Sequence, residues 1–159
     1  MGDEALSEED EVTGPDPAAA AMAAGYASFK VVEIVDVSVP LPSIHAVVHL
    51  SEAAAPFRSL NFPIGLAEGA ALVSAIERSD GSRPMTHELF SEVLRRVNID
   101  VVAMRIVDRV EGVLHAEIDL MGSRGREVLQ CRPSDGLILC QRQSVPAPIL
   151  VDEEIFDAD

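Results

Sequence analysis

The sequence predicts an α+β fold, with a mixed, largely antiparallel sheet of about six to seven strands and three helices. Three observations predict it. β-Branched runs come as a group of three, followed by two stretches of helical spacing, three more strand-like runs, a third helix and a short last strand. Most neighbouring strands are joined by links of hairpin length, which disfavours alternating βαβ units and a doubly wound sheet. An apolar share of 48% over 159 residues supplies one core and leaves little room for two.

The expected organisation is a disordered acidic and Ala-rich tail over residues 1–27 and a single domain over 28–157. The tail is acidic and then rich in Gly, Pro and Ala, with no period long enough to bury a face. Ala18 to Ala24 has good helix propensity, but so short a helix is marginal alone. Phe29 to Val39 reads as a long strand closed by the Pro40-Leu41-Pro42-Ser43 stretch, because proline removes a ladder donor. Ile44 to Leu50 alternates into a second strand. Phe57 to Ile64 makes a weaker third one, interrupted by Asn61 and closed by Pro63, so an edge position is expected.

Leu66 to Arg78 switches to helical spacing, with Leu66, Ala70, Val73 and Ile76 or Glu77 falling on neighbouring turns. A second helix is expected to start at Thr86 as N-cap, to place Glu88 in its first turn, and to bury Leu89, Phe90, Val93, Leu94 and Val97. Ile99 to Asp108 and Val113 to Met121 form a hairpin through a glycine-containing link, and Arg126 to Cys131 completes a meander. A third helix runs from the Arg132-Pro133-Ser134-Asp135 opening to about Gln143, and Pro148 to Val151 is the last strand.

No apolar run approaches the roughly 20 residues that span a bilayer, and the first residues are acidic, the reverse of a secretory signal. A cytoplasmic protein without a membrane is expected. Cys131 and Cys140 make no disulfide framework and lack zinc-knuckle spacing. The formal charge of −15 argues against nucleic acid. That charge is unevenly spread, however. Of the 27 acidic residues, seven fall in 1–27 and five in 152–159, which leaves 15 against the 12 Lys and Arg, all of them in between.

Arg83-Pro84-Met85-Thr86-His87-Glu88 and Arg132-Pro133-Ser134-Asp135 both set Arg-Pro against a helix start. Free amides of a first turn attract anions, and an Arg just ahead of it can clamp the same phosphate. Helix capping by Thr86 and Ser134 with carboxylate pairing of each Arg is the plainer alternative. The imidazole of His87 is a group suited to proton transfer or metal ligation, and a first-turn His that only packs or hydrogen-bonds is the plainer alternative. His45 and His49 lie roughly 13 Å apart if on one strand, too far to share a zinc ion. Glu68, Glu88, Asp108 and Asp135 are carboxylates that could hold Mg²⁺ or Mn²⁺, which need only one or two such ligands. No motif implies an organic cofactor. With aromatics at 4% and no Trp, a base-stacking platform is poorly supported.

From Phe29 to Asp157 the chain resembles the bifunctional nuclease family, also called DUF151. The blocks that carry the resemblance come in order: Lys30 onward with Pro42, Phe62-Pro63-Ile64-Gly65 with Glu68, Arg83-Pro84-Met85-Thr86-His87-Glu88-Leu89, Arg105-Ile106-Val107-Asp108 with Glu111-Gly112, Cys131-Arg132-Pro133-Ser134-Asp135, and Val145-Pro146 through Glu154. The chain departs from the pattern in lacking a tryptophan beside the Pro-Ile block and in carrying Glu88 where aspartate is usual. The resemblance implies a nuclease that hydrolyses phosphodiester bonds of DNA or RNA with Mg²⁺ or Mn²⁺ as divalent metal. His87, Asp135 and Glu68 are then the expected catalytic residues. Arg83, Arg132, Thr86 and Ser134 would bind the phosphate, and Glu68 with Asp135 would hold the metal. Nucleic acid is the implied partner, against the acidic balance, and a homo-oligomer is left open. The alternative is a catalytically inactive member that serves as a protein-interaction or regulatory module.

Overall fold

The computed structural model describes residues 28–157. The expectations for residues 1–27, including a helix at Ala18 to Ala24, lie outside them. Strands β1 (Phe29–Ser38), β2 (His45–Glu52) and β3 (Ser59–Gly65) form an antiparallel meander, and helix α1 (Leu66–Glu77) follows β3 with no linker. After α2 (Thr86–Arg96), a second antiparallel meander of β4 (Asp100–Val110), β5 (Val113–Gly122) and β6 (Gly125–Cys131) leads straight into α3 (Pro133–Gln141). Strand β7 (Ile149–Asp152) and the short α4 (Glu153–Phe156) end the described chain.

The seven strands form one mixed sheet in the order β3-β2-β1-β7-β4-β5-β6. Only the β4–β7 pair is parallel, so the α+β expectation holds. The two meanders do not pair with each other. β7 lies between them, antiparallel to β1 and parallel to β4. At the β4–β5 hairpin the two turn residues, Glu111 and Gly112, have φ of 50° and 81°, the left-handed pair that matches the twist of the flanking strands. β3 is an edge strand as expected, but it runs through Pro63 to Gly65, since an edge tolerates a missing amide donor.

Helices α1 and α3 pack together over one face of the sheet. Between them and the strands lie Val48, Leu50, Leu72, Met104, Ile106, Leu137, Ile138 and Val151, all essentially without solvent contact. The buried side of α1 is Gly69, Ala71, Leu72 and Ala75 rather than the stripe of Leu66, Ala70, Val73 and Ile76 that helical spacing picks out. Small residues win because α1 lies almost on the backbone of β2: a Cβ at Gly69 would come within 2.6 Å of Ala46 Cβ. Gly136 plays the same part on α3, where a Cβ would sit 3.1 Å from Met104 Sδ.

The α2 expectation fails more completely. Only Leu94 is buried, while Leu89, Phe90, Val93 and Val97 are exposed, because the helix is held to the body by its polar side. Met85, not Thr86, is the N-cap, and the Glu88 carboxylate accepts the Met85 amide at 2.9 Å. Glu88 also takes Arg142 Nη2 at 2.8 Å, and Arg142 Nη1 reaches Asp80, so one buried guanidinium joins α1, α2 and α3.

Two further ionic clusters close the sheet. Asp119 on β5 is fully buried and accepts Arg105 from β4 at 3.0 Å and Arg126 from β6 at 2.7 Å. Glu52 accepts the Arg58 amide, Nε and Nη2, and Arg58 continues to Glu153, Asp157 and the Phe156 ring. The Arg58 hydrogen bond outweighs burial and holds the Glu52 carboxyl below its ordinary range.

Candidate active site

The two meanders end in the same local plan. β3 runs into α1 through Gly65, and the third helical residue is Glu68 followed by Gly69; β6 runs into α3 through Arg132, and the third helical residue is Asp135 followed by Gly136. In both helices the glycine lets the first turn lie close to the sheet and the acid before it occupies the dipole-favoured first turn. β3 and β6 are opposite edges of the sheet, yet Phe62 to Gly65 and Gln130 to Ser134 line one cleft of about 620 Å³. Helices α1 and α3 pack together, and their two acidic starts meet at this cleft.

Arg132 joins them. Its Nε and Nη2 donate to the two oxygens of Asp135 at 2.8 and 2.9 Å, and its Nη1 donates to Glu68 Oε1 at 3.0 Å. A guanidinium has five N–H groups, so these bonds leave two for a ligand, and the Arg132 side chain is 64% exposed. The start of α2 supplies the fourth member. His87 Nε2 bonds Asp135 Oδ1 at 2.9 Å, with both side chains largely covered. With Nε2–H donating to the carboxylate, this bond leaves Nδ1 with a lone pair able to take a proton. Burial pushes the Asp135 carboxyl up, but bonds from Arg132 and then His87 outweigh it and hold it below the ordinary aspartate value.

Of the residues singled out from sequence, Glu68, His87, Arg132 and Asp135 thus form one bonded chain, and Ser134 is buried in the cleft wall. Ser134 does not cap α3, since Arg132 is the N-cap. Arg83 and Thr86 are exposed, and no hydrogen bond or ion pair ties either to the cluster among the described residues. Glu88 is occupied by Arg142, and Asp108 sits at an irregularity in β4. His49 is held between Ser38 and Asn61 across three strands, a cross-strand pin remote from metal chemistry. Sequence reasoning missed His115 and Glu117, which line the cleft. Their spacing of two on a strand, which places both on one face, was the available signal.

The sequence profile described as bifunctional nuclease domain matches residues 48–159. The chain belongs to the bifunctional nuclease family. Two curated relatives, the uncharacterized proteins MT1877 and Rv1829 of two Mycobacterium tuberculosis strains, are each 33% identical over 125 residues, covering 79% of this chain and 73% of theirs. All four members of the bonded chain fall inside the family's matched segment.

For a divalent ion the donor set of this bifunctional nuclease domain is sparse. Among the described residues no three His, Cys, Asp or Glu side chains gather as a metal cage. Asp135 has both oxygens on Arg132, whereas Glu68 Oε2 has no protein donor among the described residues. That fits Mg²⁺ or Mn²⁺ only in the form in which one or two carboxylates are supplemented by water and substrate phosphate.

Gly65 offers a sharp test of how Glu68 is placed. A Cβ there would collide with Glu68 Oε2, the far end of a flexible side chain. Gly65→Ala should therefore leave the melting temperature within a few degrees of wild type, an effect of about 1 kcal/mol or less. It should nevertheless displace Glu68 from Arg132, visible as a changed Arg132 Nη1–H resonance in an NMR spectrum. An unaltered resonance would show that Glu68 is not held where described.

Proposed function

We propose that the protein is a nuclease that hydrolyses phosphodiester bonds of DNA or RNA at the Glu68–Arg132–Asp135–His87 chain. The observation that carries this reading is the bonded sequence of carboxylate, guanidinium, carboxylate and imidazole where the starts of three helices meet, beside a cleft of about 620 Å³. Arg132 uses its two remaining N–H groups on the non-bridging phosphate oxygens, where charge builds as the phosphorus becomes five-coordinate. Asp135 fixes the imidazole so that His87 Nδ1 takes the proton from an attacking water. Glu68 holds the far side of Arg132 and prevents the fork from rotating out of register. A bound Mg²⁺ or Mn²⁺, reached through Glu68 Oε2 and the phosphate itself, would supply further neutralisation of charge.

The thiols take no part. Burial and the Asp135 charge push Cys131 up to about 11, and burial pushes Cys140 up to about 12, so both stay protonated. Two free thiols also fit a cytoplasmic setting. Among the described residues no helix is long and apolar enough to cross a membrane.

A second reading, a non-catalytic interaction module, is favoured by one observation: three of the Arg132 donors are already taken by carboxylates. One experiment separates the two. Purified full-length protein is incubated with end-labelled single-stranded DNA and RNA in Mg²⁺, in Mn²⁺ and in EDTA, beside Arg132→Ala. The expected result is cleavage by the wild type, stimulated by metal and absent from the variant. No cleavage under any of these conditions would leave the interaction module as the standing reading.

A further inference from the structure

We propose, on the basis of the nuclease reading, that the site engages one phosphodiester and the two nucleosides it joins, so that a dinucleotide is as good a substrate as a long strand. A protein that tracks a strand needs a row of cations, because each phosphate neutralised by Lys or Arg adds to affinity. The cleft has no such row. Among its described lining residues Arg132 is the sole Lys or Arg, and it stands beside the acids Glu68 and Glu117. Cations elsewhere are largely committed: Arg58, Arg95, Arg96, Arg105, Arg126 and Arg142 each pair with a carboxylate. Between residues 28 and 151 acids outnumber Lys and Arg by 15 to 12, so the body as a whole repels a long polyanion.

What flanks Arg132 is apolar. Phe62, Pro63 and Ile64 come from β3, Val113 and Leu114 from β5, and Pro133 from the start of α3. Such walls do nothing for a sugar-phosphate backbone, but they suit the flat apolar faces of unpaired bases. The volume agrees, since about 620 Å³ lies within the roughly 300–1,000 Å³ of sites that enclose one small molecule. A phosphate held by the two remaining N–H groups of Arg132 therefore leaves its nucleosides beside these walls. Water attacks phosphorus, and one ester P–O bond breaks with its electron pair on the departing oxygen. The proton that His87 Nδ1 removes from the water ends on that oxygen, and the products are one nucleoside and one nucleoside monophosphate.

The test compares hydrolysis by the full chain, in Mn²⁺ and over a range of NaCl, of a dinucleoside monophosphate and of a single strand of about twenty nucleotides. Counted per phosphodiester, kcat/KM should agree within about tenfold between the two, and its logarithm should fall against that of salt with a slope of roughly −0.7, that of one phosphate contact. A preference for the strand beyond about tenfold, or a slope steeper than about −2, overturns the proposal. Val113→Glu sets a carboxylate in the cleft wall at a position 61% exposed, where the fold tolerates it. It should raise the KM of the dinucleotide about tenfold or more, and an unchanged KM also overturns the proposal, because the nucleosides then lie elsewhere. Turnover of neither compound removes the nuclease reading, and calorimetric titration of the same two compounds then decides. The dinucleotide should bind within about tenfold of the strand, counted per phosphodiester. A strand bound more tightly than that, or a dinucleotide that does not bind, overturns the proposal.

Discussion

Alanine at His87 should lower the turnover of a single-stranded oligonucleotide about 10²- to 10⁴-fold, the usual loss when a positioned proton acceptor is removed. The effect should fall on kcat rather than on KM, because His87 contributes to proton transfer and not to gripping the phosphate. Asp135 accepts its Nε2–H at 2.9 Å, so Asp135→Asn offers a second probe of the same pair. An amide cannot stabilise the imidazolium that forms, nor hold Arg132 as a carboxylate does. It should therefore cost at least as much as His87→Ala and raise KM as well. His87→Gln, which keeps a polar side chain but cannot take the proton, supplies the check: it should lose as much turnover as the alanine variant, and wild-type turnover would assign the proton acceptor elsewhere.

The largest loss of stability should come from Asp119→Ala, far from that chemistry. Asp119 has no solvent contact and receives Arg105 and Arg126 from the strands on either side. Removing the carboxylate takes from Arg105 and Arg126 the buried acid they share across the β4–β5–β6 meander, and such losses run to about 3–5 kcal/mol. For a chain of this size that lowers the melting temperature by about 10 °C or more. Asp119→Asn keeps the shape and part of the hydrogen bonding, and should lie between. A melting temperature of Asp119→Ala within about 2–3 °C of wild type, in a calorimeter, would mean that Glu117, already 2.9 Å from Arg105, absorbs the freed charge.

The strands were legible in the sequence because their chemistry is local. Proline at 40 and 42, glycine at 112 and 125, and runs of Val and Ile mark where ladders start and stop, and the observed bounds differ by a residue or two. The convergence of His87, Arg132 and Asp135 was foreshadowed by two Arg-Pro helix openings, but which arginine joins the cluster was not. Nothing in the spacing tells Arg83 from Arg132. The difference arises because α1 and α3 pack together and set Arg132 against Glu68, a long-range fact. The helix faces were not legible, for opposite reasons. In α1 small residues face inward because Gly69 must clear Ala46, whereas in α2 an apolar stripe faces outward because Glu88 and His87 have inward partners. Periodicity finds a face, but not the neighbour that will claim it.

The position of β7 bears on how the chain acquires its structure as it is made. Residues 29–65 and 100–131 can each zip locally, yet the strand that joins them follows both in the chain. Until Asp152 has been synthesised, β1 and β4 each expose an open flank, and the cleft between β3 and β6 has no fixed width. The Glu68–Arg132–Asp135–His87 chain therefore depends on a strand that contributes none of its members.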